Sequence, residues 1–148
     1  MNWSAQECAQ VAQTVLSTSQ VDGIYTAASI ICTDPVNNVL QQLGRSTPTG
    51  DPSHVVHVSI DGSPGGLAAV RGGTLDAIIS QPLDQFATYA VYWLQRAVKG
   101  ETAQPGPTDH NSTVVEINGH LVDQLPVTTV TTENVDDPSL WGNQPTAG

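Results

Sequence analysis

The chain has 148 residues, 39% of them hydrophobic and 12% charged, enough for one domain of ordinary size to bury a core without a metal or a disulfide. Four Lys and Arg stand against fourteen Asp and Glu, a formal net charge of -10. Nucleic acid and anionic membrane surfaces are poor partners on that balance, since both are held by clustered cations.

Apolar runs are only a few residues long, where a membrane helix needs about 20, so no membrane-spanning helix is expected. The opening Met1-Asn2-Trp3-Ser4-Ala5-Gln6-Glu7 lacks the basic and apolar regions of an export signal. Ala5, Cys8, Ala9, Ala12, Val15 and Leu16 then recur at helical spacing, with Ser4 as N-cap and Glu7 completing a capping box. Val21 to Thr26 reads as a short strand, followed by a loop through Ala27, Ala28 and Ser29. A second helix carries Val36, Val39, Leu40 and Leu43; it starts either at Asp34-Pro35, as N-cap and first helical residue, or earlier at Ile30 and Ile31. Residues 45–53 form a loop, His54 to Ile60 a strand, and Leu67, Ala68 and Val70 a short helix closed by Gly72-Gly73.

Asp76 to Gln81 is the next strand. The strongest helix follows, with Phe86, Ala87, Ala90, Leu94, Ala97 and Val98 on one face and Gly100 as its stop. Three strands alternating with four helices predict an α/β fold with a parallel sheet and flanking helices. Beyond Gly100 the expected strands are Thr113 to Ile117 and Val127 to Thr131, and residues 136–148 form a loose tail. Cys8 and Cys32 match neither a zinc spacing nor a CxxC pair. Buried free thiols are the favoured reading, and a disulfide between neighbouring helices is the alternative.

Ligands of open parallel sheets bind beyond the carboxyl ends of the strands. Thr26 to Ser29, Asp61-Gly62 and Gln81 fall there. Asp61 offers two acceptor oxygens, and Gln81 an acceptor and an NH2 donor, a set suited to adjacent sugar hydroxyls. The plainer alternative is that Asp61 caps the helix starting near Ser63 or Pro64. His54, His57, His110 and His120 show no metal-ligand spacing and are expected in solvent or loops. Phe86 to Trp93, at helical spacing, is expected in a core or interface. No GxSxG elbow, P-loop or GxGxxG is present. Asp76 begins its strand at the end away from the ligand side, and no nucleophile and base pair is found. No catalytic residue, cofactor or metal is therefore expected, which disfavours a small flavodoxin-like enzyme.

Three strings, Val58-Ser59-Ile60-Asp61-Gly62-Ser63-Pro64, Leu67 to Gly73, and Asp76 to Pro82, resemble the periplasmic sugar-binding proteins of ABC transporters, the ribose-binding-protein-like branch related to LacI-type repressor cores. Lys99-Gly100-Glu101 and Pro126 to Val135 extend the resemblance, which covers residues 2–137. It implies a type I periplasmic-binding fold of which this chain is the C-terminal portion: residues 1–80 a segment of the C-terminal lobe, 81–135 the crossover helix and closing strands. It assigns sugar hydrogen bonds to Asp61 and Gln81, and places Ala28 and Ser29 at the ligand loop. There the family usually has an Asn-Asp pair, so Thr26-Ala27-Ala28-Ser29 implies a changed or lost specificity.

A sugar or other small solute, an ABC permease and a periplasmic or extracellular location at the membrane face follow from the resemblance. The alternative it carries is the effector-binding core of a LacI-like regulator. With the first lobe absent, the helix after Gln81 exposes an apolar stripe, and either self-association or a compact rearranged domain is expected.

Overall fold

The computed structural model describes residues 2–144, which fall into two compact units, Met1–Ser80 with Thr128–Gly148, and Gln81–Val127. In the first, helix α1 (Ala5–Thr18) starts where Ser4 Oγ accepts the Glu7 N–H at 3.3 Å. Its Ala12 and Leu16 pack on Val36, Val39 and Leu40 of α2 (Ser29–Gln42). Cys8 lies one turn before Ala12, and Cys32 one turn before Val36, so the same packing brings the thiols together. They form a disulfide with Cα atoms 5.4 Å apart, within the ordinary range for such a bridge. This corrects the expectation of free thiols.

Strands β1 (Gly23–Thr26), β2 (Val56–Asp61) and β3 (Ala77–Ser80) are parallel and adjacent in that order, and α3 (Pro64–Arg71) connects the last two. Pairing always on the same side with right-handed crossovers puts α2 and α3 on one face of the sheet. The alternation of burial agrees: Thr26, His57, Ser59, Ile78, Ser80 and Val130 are buried, while their strand neighbours are half-buried or exposed.

Strand β7 (Thr128–Val130), numbered in chain order after β4 to β6 of the second unit, pairs antiparallel with β3, Val130 opposite Ile78. Leu67, Val70, Leu75, Ile78, Val130, Val135 and Leu140 form the second apolar cluster. Residues 136–148, expected as a loose tail, are anchored as far as Gln144. Leu140 is buried and Asn143 Nδ2 donates to Val135 O at 2.7 Å. Residues 145–148 lie outside the described residues.

The second unit holds α4 (Leu83–Val98) and an antiparallel sheet of β4 (Gly106–Pro107), β5 (Thr113–Ile117) and β6 (His120–Gln124). β6 was not expected from the sequence, although Asn118-Gly119 is the turn pair of a two-residue hairpin. Both residues have positive φ, 53° and 78°. No residue of α4 is fully buried; Tyr89, Tyr92, Trp93 and Arg96 are partly covered, while the stripe Phe86, Ala87, Ala90, Leu94, Ala97 and Val98 is exposed.

Candidate functional site at the carboxyl ends of the strands

Asp61 is the last residue of β2 and pairs with Ser80, the last of β3. Its φ is 106°, in a region costly for any residue with a Cβ. The chain is held there by tight approaches. A Cβ at the next residue, Gly62, would come within 2.7 Å of Ser80 Cβ. Trp141 Nε1 donates to Asp61 O at 2.8 Å. Gly142 lies so close to Gly62 O and Leu67 that no side chain fits. Backbone strain at a strand end is thus sustained by the 3-10 turn Trp141–Asn143, in the segment the sequence left loose.

The Asp61 carboxylate caps a helix, but not the expected one. Ser63 caps α3, its Oγ accepting the Gly66 N–H at 3.1 Å. Asp61 Oδ2 instead accepts the Ser29 N–H at 3.0 Å and faces Ser29 Oγ at 3.4 Å, at the start of α2. Ala28, the N-cap of α2, has no side-chain oxygen to do this. A carboxylate at a helix N-terminus satisfies an orphan N–H and meets the positive end of the dipole. Pro35 consequently sits inside α2 rather than at its start, because the cap arrives from a distant strand. Among the described residues Asp61 Oδ1 accepts no hydrogen bond, and the carboxylate keeps one oxygen free.

Ala28, Ser29 and Asp61 are therefore brought together. Ser29 is buried and engaged with Asp61, and its Oγ also lies 3.2 Å from Ser63 Oγ. Ala28 lines a pocket of about 180 Å3 with Trp3, Ala27, Ile31 and the Cys8 and Cys32 bridge. Gln81 directly follows Ser80 and opens the second unit, half-buried.

Below Asp61 on the same face of β2 lie Ser59 and His57, an alternation of two that continues the polar column into the core. Ser59 Oγ donates to Thr26 O at 2.8 Å, and Thr26 Oγ1 donates to Ser59 Oγ at 2.9 Å. His57 has its ring nitrogens 2.9 Å from Asn37 Oδ1 and 3.2 Å from Thr26 Oγ1. The ring is 2% exposed, and burial pushes its pKa down to about 4, against a smaller opposing pull from Asp76.

Asp76 closes the far end of the column. It accepts the His57 N–H at 2.8 Å, Thr49 Oγ1 at 2.9 Å and His54 Nε2 at 2.9 Å. Burial opposes its charge, but these bonds outweigh burial and hold its carboxyl below the usual range. His54 also bonds Thr47 O at 2.6 Å, which leads in raising its pKa. In the second unit His110 stacks on Tyr89 at 3.8 Å and lies between Asp109 and Asp123. Of the histidines expected in solvent or loops, His54 and His110 do lie in loops but are built into polar networks, His120 is exposed, and His57 departs from the expectation by lying buried on β2. Signals for His57 and His110 were slight, a polar residue every second position on β2 and an Asp-His pair before β5.

Among the described residues no helix is long and apolar enough to cross a membrane, and no group of three His, Cys, Asp or Glu could hold a metal ion.

Residues 1–102 match the family model of the periplasmic binding protein domain. No curated protein matches the chain. Among solved structures, the chain is similar to a sugar ABC transport substrate-binding protein of Bordetella parapertussis 12822, at 16% identity and a TM-score of 0.70, over 99% of this chain and 43% of that one. It is similar to an ABC transporter periplasmic solute-binding protein of Actinobacillus succinogenes 130z with bound D-allose, at 15% identity and 0.67, over 92% and 41%. A third is an ABC transporter solute-binding protein of Bacillus halodurans C-125 with bound myo-inositol, at 19% and 0.66, over 93% and 40%. The chain spans about two-fifths of the length of these structures, and their fold is the one observed here. This chain belongs to the periplasmic binding protein domain family.

Proposed function

We propose that this chain is the C-terminal portion of the solute-binding component of an ABC transporter, with a carbohydrate as its solute and Asp61 as the acceptor that contacts it. The observation that carries this is the Asp61 carboxylate at the carboxyl end of β2, one oxygen fixed by Ser29 and the other without a hydrogen bond among the described residues. A fixed acceptor with a free lone-pair side is what recognition of a neutral hydroxyl needs. Ser29 holds that carboxylate in place, and Ala28, the N-cap of α2, adds no polar side-chain atom of its own. Gln81, following the residue paired with Asp61, supplies the second hydrogen-bonding group that the family resemblance assigns.

The function is capture and delivery, with no chemical step: polar groups converge on hydroxyls, and hinge closure in the whole protein buries them with the solute. The whole protein works outside the cytoplasmic membrane and hands its solute to a permease. The sugar-bound structures sharing this fold favour that reading over the effector core of a LacI-like regulator.

The test is calorimetric titration of the chain with D-allose, D-fucose and myo-inositol, and with purine bases as non-carbohydrate probes. Binding in roughly the millimolar range is expected, because most of a closed site's contacts lie beyond this length of chain. Asp61→Ala abolishes it. Sugar binding that survives Asp61→Ala, or a response to purines stronger than to every sugar, would overturn the reading.

A further inference from the structure

The first turn of α2 is weakly joined to the rest of its helix. Ala28, its N-cap, offers no side-chain oxygen, and no acidic residue stands in that turn. Pro35 has no N–H to give to the Ile31 carbonyl; its ring crowds that carbonyl and disfavours helical geometry at Asp34. The apolar cluster that packs α2 against α1 takes Val36, Val39 and Leu40, all beyond the proline. Two sets of long-range bonds reach the turn itself. Asp61 and Ser63 meet Ser29. At the other end of the same turn Cys32, whose N–H donates to Ala28 O at 2.9 Å, is bridged to Cys8 of α1.

We propose that the bridge between Cys8 and Cys32 is a redox-sensitive clasp of the Asp61 site. Closed, it holds the first turn of α2 where the Ser29 N–H fixes Asp61 Oδ2; open, it lets that turn leave the carboxylate while the rest of the fold stays. Each tie supports the other, because both order the same turn, Ser29 to Cys32, and a turn already ordered by one costs less entropy to order by the second. Opening is a thiol–disulfide exchange with a small dithiol. One thiolate attacks a bridge sulfur, the S–S bond breaks to a mixed disulfide, and the second thiolate resolves it. The dithiol leaves as its own disulfide, and Cys8 and Cys32 receive its two electrons and two protons as thiols. Both cysteines are only 3% exposed, but they border the pocket with Trp3 and Ile31, which gives a small dithiol a path to the sulfurs. The coupling to Ser29 stands on this geometry alone; its effect on solute affinity rests on the proposed function.

Amide hydrogen exchange of the isotopically labelled chain, before and after treatment with dithiothreitol, tests it. The expected result is a folded reduced chain in which protection of the Ser29 amide falls at least ~10-fold further than that of Val70 and Ile78 in the apolar core. Pro35→Ala gives the Ile31 carbonyl its donor back and restores Ser29 protection in the reduced chain, which a bridge acting only on overall stability would not allow. A reduced chain that unfolds as a whole, an equal fall at all three amides, Ser29 protection indifferent to dithiothreitol, or no recovery in Pro35→Ala would each overturn the proposal. D-Allose and myo-inositol titrated into both forms read the consequence for the solute, an affinity at least ~10-fold weaker in the reduced chain. Equal binding by both forms would overturn the link to the site. Binding by neither would fail the solute reading, and the amides alone then decide this inference.

Discussion

Asp61 Oδ2 accepts the backbone N–H of Ser29 at 3.0 Å across thirty-two residues of chain, so the end of one strand supplies the cap of the helix that precedes it. Asp61→Ala leaves that N–H without its acceptor and removes a negative charge from the helix start, at a cost of about 1–2 kcal/mol. Asp61→Asn keeps an oxygen for the bond and costs less than about 1 kcal/mol. Urea denaturation of the two variants measures this. An asparagine variant as unstable as the alanine one would show that the cap is not what the carboxylate contributes.

His57 is buried neutral, with a folded pKa of about 4 against an ordinary 6.5. A depressed value means the unfolded chain binds the proton first. Stability from this group is therefore complete above pH 6.5 and is lost as pH falls toward 4, by on the order of 3 kcal/mol. His57→Gln does not titrate, so its stability deficit relative to the unaltered chain shrinks by that amount between about pH 7 and 4. Denaturation at both pH values measures the gap. A gap that stays constant would contradict a neutral buried ring.

His110 behaves in the opposite sense. Burial opposes charge on the ring, but bonds to Asp123 at 2.8 Å and Asp109 at 2.9 Å outweigh it and hold the pKa above 6.5. A raised value gives stability that is complete below pH 6.5 and lost as pH rises through the folded pKa. Asp123 also takes Trp93 Nε1 at 2.8 Å and the Ser112 hydroxyl, so one carboxylate ties α4 to the hairpin. Tyr89 and Tyr92 pack on the same ring, and Arg96 lies over Tyr92. In Asp123→Asn the His110 pKa falls and Trp93 fluorescence changes. Proton NMR titration of the imidazole reads the first directly, and a His110 in the unaltered chain titrating below 6.5 contradicts the arrangement.

The bridge between Cys8 and Cys32 spans twenty-four residues and clasps α1 to α2. Cross-linking a loop of that length restricts the unfolded chain and stabilises by about 2–4 kcal/mol. Cys8→Ala with Cys32→Ala should lower stability by this amount in urea, and a reductant should do the same to the unaltered chain alone. A reductant that lowers both equally would mean that the bridge contributes nothing.

The alternation of apolar and turn residues was enough to place α1, α3, α4 and the three parallel strands, because each rests on local spacing. The start of α2 was not legible, since its cap is Asp61 and not a neighbour. Nor was the order within residues 136–144, where Leu140 and Trp141 gain their places only from strands and helices far earlier in the chain. Asp61 stood out by its position after a strand. What the sequence could not show is that Ser29 fixes one of its oxygens, that Trp141 holds its carbonyl, or that His57 and Ser59 extend a polar column beneath it.

The most direct test of the account is where a sugar touches this chain. Titration of the isotopically labelled protein with D-allose or myo-inositol, followed by amide shifts, should move Ala28, Ser29, Asp61, Gly62 and Gln81, with saturation in roughly the millimolar range. Shifts confined to the apolar pocket of Val11, Val15, Leu16, Ile24 and Val36 between α1 and β1, or no shift at sugar concentrations of about 100 mM, would contradict it.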